Sequence, residues 1–523
     1  MSGIRAGGWG WAAAVLGAAV LLAVPVLPAG ADVYAHLLWT HQAMRCLAGG
    51  ELPLWAPDLD AGFGSPGIRL YSPAGPVLAA VLGLPAGDAA LGLRAALLVA
   101  VAALVLVARR RAGNRWAAAL ILLGTPALAD LTVRGAWSQV LALPVELALL
   151  EGAVRDGTGR RARWRGEALL LALLWLVHAP SAVMVAALLL LAAAVGPEPG
   201  RALAARGGAL AVAGALTAWH WLPLSDELRL TRGRQGLTTG IFDAARNWLG
   251  SPVAHAPRLN LALSAAAVAM GIVGIAVFRS LPPRERLSRL VLLAACLALA
   301  GPPVLLALEL GLPLDWLQFP WRWLTPAALV VAGPLAARLR RRPAWLALWL
   351  APALLLPWVR PFAAPRLGPR QGWPEVGAAV ASFGGNPLAV DVVEHRPPWY
   401  DALGTELVRF GPRARVVTEP TAWRRVTVWR PLLREVEVVA GMPAVIRLRL
   451  LRYPGWEIAV DGRPVPPLSG GAAVAVRVQP GHHRVRARWR GNPLARVGQA
   501  LAAAALAALW LAPRWRRRPS VRG

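Results

Sequence analysis

Asp32 and His36 stand four residues apart in the run AGADVYAHLLWTH, directly after an apolar stretch from Trp9 to Leu27. A carboxylate at the edge of an apolar helix is partly desolvated yet reachable from water, which suits a general base acting on a hydroxyl. Helical spacing puts His36 on the same face, within reach of Asp32 or of a substrate phosphate. Each residue also has a plainer reading. Asp32 is a favoured N-cap for the amphipathic helix that the pattern predicts from Val33 to Leu47, and His36 could be a solvated surface imidazole. His41 falls off the shared face.

The run that follows, GGELPLWAPDLDAGFGSPGIRLYSP, is dense in Gly and Pro and reads as a folded-back loop with Arg69 and Tyr71 among its polar contacts. Asp58 and Asp60, with Glu51 beside them, are weak candidates to join Asp32 around a divalent ion such as Mg or Mn. Nothing else suggests a cofactor. Arg134 in LTVRGAWSQV and Arg322 in LDWLQFPWRWL are suited to a bidentate grip on a lipid phosphate. Gln139 opens the next apolar run after Arg134. His178 closes a run in LVHAPSA, and Asp226 with Glu227 closes another in WLPLSDE, where solvated loop ends are the plainer reading. Trp316, Trp321 and Trp323 fit an interfacial aromatic belt.

These residues need elements to hold them, and the composition points to a membrane. The chain has 523 residues, is 57% hydrophobic and has a mean hydropathy of +0.50, which predicts a polytopic helical protein. The formal charge of +29 invites a nucleic-acid partner, but every one of the 56 basic residues is arginine and many cluster in short loops between apolar runs. They read as topology, with no nucleic acid. Arg109 to Arg115, Arg155 to Arg165, Arg201 and Arg206, Arg279 to Arg289, Arg338 to Arg342 and Arg514 to Arg518 mark the inner side.

Placing them inside fits twelve spans near 9–27, 88–108, 115–130, 138–154, 166–179, 181–196, 205–224, 259–278, 288–309, 323–338, 343–359 and 494–512, with both termini cytoplasmic. The first stretch, 19 residues long, can cross a core of about 30 Å at about 1.5 Å per residue. Ala29-Gly30-Ala31 has the form of a signal-peptidase site, but the apolar stretch exceeds an ordinary signal h-region and reads as a retained helix. Ser72–Gly87 is apolar, yet a span there would put the Arg109–Arg111 loop outside, so it reads as an interfacial or re-entrant piece of the outer loop 28–87. The domains are therefore a transmembrane unit 1–359, an outer unit 360–492, and a last helix with a basic tail, 493–523.

The outer unit changes period. Val474, Val476 and Val478 alternate with small or polar neighbours, as do Trp456, Ile458 and Val460, and Val485, Ala487 and Trp489. Asp461-Gly462 and Pro480-Gly481 supply turns. An antiparallel β-sandwich of roughly 100 residues, tethered by the last span, fits. Cys46 and Cys296 are the only cysteines, which argues against a disulfide framework or a cysteine metal site.

The order of an acid and His after the first apolar run, then GELPLWAPDLDAGFGSPG and LYSP, then VRGAWSQ, then FPWRWL, resembles bacterial multispanning proteins called 6-pyruvoyl-tetrahydropterin-synthase-related membrane proteins. Nothing here resembles the soluble zinc enzyme of that name. The layout is also similar to GT-C glycosyltransferases, which use polyprenyl-phosphate sugars outside the cytoplasmic membrane, and LRYPGWEIAVDGRPVPP with VRVQPGHHRVRARW resembles the end of membrane glycosylation proteins.

The resemblance implies a GT-C-like fold, a multi-pass place in the inner membrane, and Asp32 as the outer-loop acid that acts as base or metal-binding group. Related sequences often carry a second acid shortly after the RG pair, where this chain has Gln139. The leading expectation is an enzyme moving sugar from a polyprenyl-phosphate donor to an envelope glycan, lipid or protein acceptor. Asp32 is its base, and His36, Tyr71, Arg134, Gln139, His178 and Arg322 bind substrate among the membrane lipids. A lipid-linked glycan transporter would carry ionisable residues in mid-span, whereas the polar residues here gather at the outer ends. A noncatalytic scaffold of envelope polysaccharide assembly is the third reading.

Overall fold

The computed structural model describes residues 26–28, 32–156, 164–230, 246–311, 319–339, 341–357, 361–363, 366–382, 402–411 and 413–511. Nearly all of the expected span 9–27, together with Trp316 and the basic tail, lies outside these described residues.

Among the described residues the helical part opens with α1 (Val33–Ala48), a compact loop, and the pair α2 (Ala74–Gly83) and α3 (Ala89–Val107). Asp88 caps α3, its carboxylate accepting from the Ala90 amide at 2.9 Å. Glycines let α2 and α3 meet backbone to backbone, since a Cβ on Gly92 would lie 2.1 Å from the Ala79 carbonyl. The segment expected to be interfacial or re-entrant is thus mostly helix, packed on α1 and α3, and its backbone groups are bonded within it.

Of the longer helices that follow, α4 is Trp116–Leu123, α5 Trp137–Asp156, α6 Trp164–Val177, α7 Ala179–Ala194, α8 Pro199–Leu216 and α9 Ala218–Glu227. Next come α10 (Pro257–Phe278), α11 (Pro283–Ala300), α12 (Leu324–Ala336) and, after the β unit, α13 (Leu494–Leu511). Helix α12 is buried at every residue and packs on α4, α5, α10 and α11. A helix apolar on all sides belongs in the middle of a bundle, and this one forms its centre.

Apart from 9–27, the expected spans fall largely on helices, but the described residues do not show twelve crossings. Among the described residues, Ala89–Ala112, Trp137–Arg155, Pro257–Phe278 and Leu494–Leu511 are the 4 helices long and apolar enough to cross a membrane. The number rises to 7 if each bent pair is one span, with bends of 56° between α4 and Thr125–Arg134, 72° between α8 and α9, and 72° between α11 and Pro303–Glu309. Helices such as α12, with 13 residues, reach only about 20 Å, short of a core of about 30 Å.

A second expectation also changes. Ionisable residues do lie within the helices. Glu151 of α5 receives a two-pronged grip from Arg289 of α11 at 3.0 and 2.9 Å, and Arg289 also donates to the Val330 carbonyl at 2.6 Å and to Glu285 at 2.9 Å. Arg206 pairs with Glu167 at 3.5 Å and donates to the carbonyls of Leu189 and Ala153. Both arginines, read from sequence as loop charges, are buried, and their many donors are satisfied by neighbouring carboxylates and carbonyls.

The β unit pairs antiparallel throughout. Strands β3 (Val416–Glu419), β6 (Ala444–Leu451) and β9 (Ala473–Val478) form one sheet in the order β3-β6-β9. Strands β4 (Trp423–Arg430), β5 (Leu433–Ala440), β7 (Trp456–Val460), β8 (Arg463–Pro464) and β10 (Gly481–Trp489) form the other, ordered β4-β5-β10-β7-β8. The expected inward residues Val474, Val476, Val485 and Ala487 are buried, while Arg484, Arg486 and Arg488 face out. Asp461 and Gly462, at φ of 51° and 78°, make the tight β7–β8 turn. Pro480 and Gly481 do not close a hairpin, for β9 and β10 belong to different sheets. A separate ribbon pairs β1 (Val26–Pro28) with β2 (Pro361–Ala363).

The loop after α1 fastens the β unit to the helices. Trp55 is fully buried against Tyr453, Trp456 and Trp489, and Phe63 enters the same core. Arg449 of β6 donates to the Ala61 carbonyl at 2.7 Å and stacks on Trp373 and Phe63. Tyr453 donates to Glu227 at 3.0 Å, and Arg69 pairs with the same carboxylate. Residues 366–382, at the start of the expected outer unit, touch both parts: His41 bonds the Gly368 carbonyl at 3.0 Å and Arg45 donates to the Gln371 carbonyl at 2.7 Å, while Trp373 meets Arg449 of β6.

Candidate functional site

The first turns of four helices supply the site. Asp32 precedes α1, Gln139 lies in the opening turn of α5, His178 precedes α7, and Arg322 lies in a short turn, Pro320–Trp323, that leads into α12. Helix N-termini carry partial positive charge even where, as in α5 and α7, their first amides are already bonded, so such a gathering favours an anion.

Arg134 is the hub. Its Nη2 donates to Asp32 at 3.2 Å and its Nη1 to Asp130 at 2.8 Å and to Gln139 at 3.4 Å. Gln139 in turn donates to Thr325 of α12 at 3.0 Å. The guanidinium lies 5.0 Å from the Trp321 ring and 5.1 Å from Phe319, and Arg322 lies 5.2 Å from Phe319 on the same aromatic floor. The RG pair is a geometric requirement: Gly135 has φ of 70°, and a Cβ there would sit 2.8 Å from Val33, where α1 begins. That close approach lets the Asp32 amide donate to the Arg134 carbonyl at 2.7 Å.

Asp32 stands at the N-cap position but makes no capping bond with its side chain, which turns to Arg134. Its side chain is 45% exposed, against 2% for Asp130, so Asp32 is the carboxylate of the pair that an incoming hydroxyl can reach.

His36 is no surface imidazole. It is buried, 5.8 Å from the Trp39 ring and 6.3 Å from Tyr71, and Trp39 and Tyr71 lie 5.1 Å apart. Burial lowers its pKa to about 4, against the pull of Asp32 and with the push of Arg134, so the ring is neutral near pH 7. Burial likewise pushes the Tyr71 phenol up to about 12, with Arg322 opposing. Arg322 is brought down to about 10 by burial and then by Arg134, while Tyr71, Asp32 and Asp130 pull the other way. It stays cationic at neutral pH as a desolvated charge that an arriving anion would stabilise.

His178 has a structural task as well. Its Nδ1 meets Ser181 Oγ at 2.7 Å and accepts from the Ser181 amide at 3.3 Å, capping α7, within electrostatic reach of Arg322, Arg134 and His36. Ser72 of LYSP ties this corner, donating to the Trp175 carbonyl at 3.1 Å and accepting from the Ala179 amide at 2.9 Å.

The metal candidates do not converge. Asp58 pairs with Arg45 at 2.7 Å and accepts no share of the site, Glu51 accepts from the Leu432 amide at 2.9 Å, and Asp60 sits in a left-handed turn at φ of 52°. Among the described residues no group of three or more His, Cys, Asp or Glu could hold a metal ion. With Asp32 committed to Arg134, this donor set does not fit a divalent ion. Both cysteines are buried and free, and Cys46 belongs to α1.

Sequence reasoning missed Asp130, although it lies one helical turn before Arg134 in an otherwise apolar run, and that spacing was the available signal. Asp130 brings a second acid to the guanidinium that Gln139 also reaches. Glu146 of α5 was missed too. It is fully buried, none of its oxygens makes a hydrogen bond of normal geometry among the described residues, and Ser181 is its polar neighbour. No protein-family model, no curated protein and no solved structure matches the chain.

Proposed function

We propose that this chain is a multi-pass protein of the cytoplasmic membrane that transfers a sugar from a polyprenyl-phosphate donor to an envelope acceptor at the outer face. The observation that carries the reading is a half-exposed carboxylate, Asp32, held by Arg134 beside a second buried cation, Arg322. The membrane setting is supported by α10, whose Leu261, Val268, Ile272 and Ile275 are each more than half exposed, an apolar face that water would not favour.

Asp32 takes the proton of an acceptor hydroxyl. The freed oxygen attacks the anomeric carbon, the bond from that carbon to the phosphate oxygen breaks, and the sugar inverts. Polyprenyl phosphate leaves with the electron pair, its added charge stabilised by Arg322, by Arg134 and by the helix N-termini. Trp39, Tyr71 and the neutral His36 wall the sugar side, and no step passes through a metal. In a strain lacking the chain, mass analysis of lipid-linked sugars and envelope glycans is expected to show the donor accumulating and one sugar missing from a glycan. Unchanged profiles of both would refute the transfer reading.

A second reading is movement of a lipid-linked glycan coupled to protons, and Glu146 favours it as a buried carboxyl in mid-helix. It requires glycan translocation in sealed vesicles that depends on a proton gradient and is lost in Glu146→Gln. Sugar transfer without a gradient decides for the first reading.

A further inference from the structure

The far end of the bundle holds a cavity that the proposed reaction does not use. It measures about 990 Å³ and is lined by Arg109, Asn114, Arg115 and Trp116 on one side and by Ala336 and Leu339 at the end of α12 on the other. The sequence makes this corner by ending α3 in a wide turn over Ala108–Ala112 and reversing at Gly113, with φ of 71°. Asn114 then accepts from the Trp116 amide at 2.9 Å and starts α4.

The corner is positive and uncompensated. Arg109 and Arg115 make no ion pair or side-chain hydrogen bond among the described residues, and Arg115 has only the Trp116 ring, 6.0 Å away. Arg110 and Arg111 share the turn, while Glu151, close beneath Ala112 and Gly333, is held by Arg289. The flanks are apolar. Trp116 is 58% exposed, and Val99 and Leu106 lie open on α3 leading away from the arginines. Unpaired guanidiniums at the mouth of a cavity, with an exposed apolar flank beside it, match an amphiphile with an anionic head.

We propose that this cavity binds the phosphate headgroup of an anionic membrane phospholipid, with Arg109 and Arg115 on the phosphate and the acyl chains along the exposed side of α3. The proposal rests on the membrane setting and is independent of the transfer chemistry.

The test is titration of the full chain in detergent with phosphatidylglycerol, read by native mass spectrometry, after confirming that the chain stays in carbonate-washed membranes. The double variant Arg109→Gln/Arg115→Gln is expected to bind about 30-fold more weakly, because both direct guanidinium–phosphate contacts are lost. The pair Arg341→Gln/Arg342→Gln, on the same side but outside the lining, is expected to change binding by less than about 3-fold, so that diffuse charge is separated from the cavity. Equal affinity in wild type and the first variant, equal loss in both variants, displacement by inorganic phosphate at matched concentration, or equal binding of phosphatidylcholine would each overturn it. A chain released by the carbonate wash would instead overturn the membrane setting.

Discussion

Arg134 and Arg289 are both buried guanidiniums held by two carboxylates, yet one looks built to receive something and the other does not. Arg289 is closed: Glu151 takes it from two sides, and its remaining donors go to Glu285 and to the Val330 carbonyl. Arg134 is open, because its partner Asp32 is nearly half exposed and a second cation, Arg322, stands on the same aromatic floor. A buried ion pair by itself is weak evidence for either stability or function. What separates the two is whether one charge remains accessible and whether the local charges would welcome another anion.

The widest gap between the two regions should appear when Arg289 is changed. Arg289→Leu leaves the buried Glu151 with only the half-exposed Arg155, 3.6 Å away, and is expected to cost about 3 kcal/mol in thermal or denaturant unfolding, whereas Glu151→Leu/Arg289→Leu recovers most of it. If the double variant is as unstable as the single one, the closed pair is more than structural. At the open site the effect should fall on chemistry instead. Arg322→Lys keeps a charge but loses the planar fork, and sugar transfer is expected to drop by about 10²-fold with little change in melting temperature.

Smaller effects sharpen the geometry. Gly135→Ala forces a left-handed conformation on a residue with a Cβ and presses it against Val33, and is expected to cost about 1–2 kcal/mol while loosening the Asp32–Arg134 contact. Full activity in a destabilised variant would show that this contact is not needed. A further effect concerns pH. Because the His36 pKa lies at about 4 in the fold and at 6.5 in the free residue, the unfolded chain binds the proton first. Stability tied to His36 is therefore complete above about pH 6.5 and is lost as pH falls toward 4. Unfolding between those limits should be less pH-dependent in His36→Asn than in wild type.

Much of the helical layout was legible, since runs such as 259–278 and 494–512 fall on α10 and α13 with little displacement. The twelve-span count is not shown by the described residues, because hydropathy cannot tell an exposed apolar helix from one like α12 that is buried by its neighbours, nor see the bends at Gly124, Thr217 and Gly301. The strand alternation around Val485–Trp489 was readable for the same reason that it folds, because one face is buried, whereas β9 buries both faces and its period shows only as large residues alternating with small ones. The insertion of Trp55 and Phe63 into that core was not, being a contact between residues about 400 positions apart. At the site, the arginine map placed Asp32, Arg134 and Arg322 on one side, and they meet. Asp130 and Glu146 went unremarked because each is a lone acid inside an apolar run, where period and hydropathy dominate the reading.

The central claim, that Asp32 is the base for sugar transfer at the open site, is most directly tested with purified Asp32→Asn chain in proteoliposomes supplied with a labelled polyprenyl-phosphate sugar and envelope acceptor. The account predicts a fall in transfer of about 10²–10⁴-fold at an unchanged melting temperature, because the exposed carboxylate carries the proton and little of the fold. Transfer at the wild-type rate would contradict it.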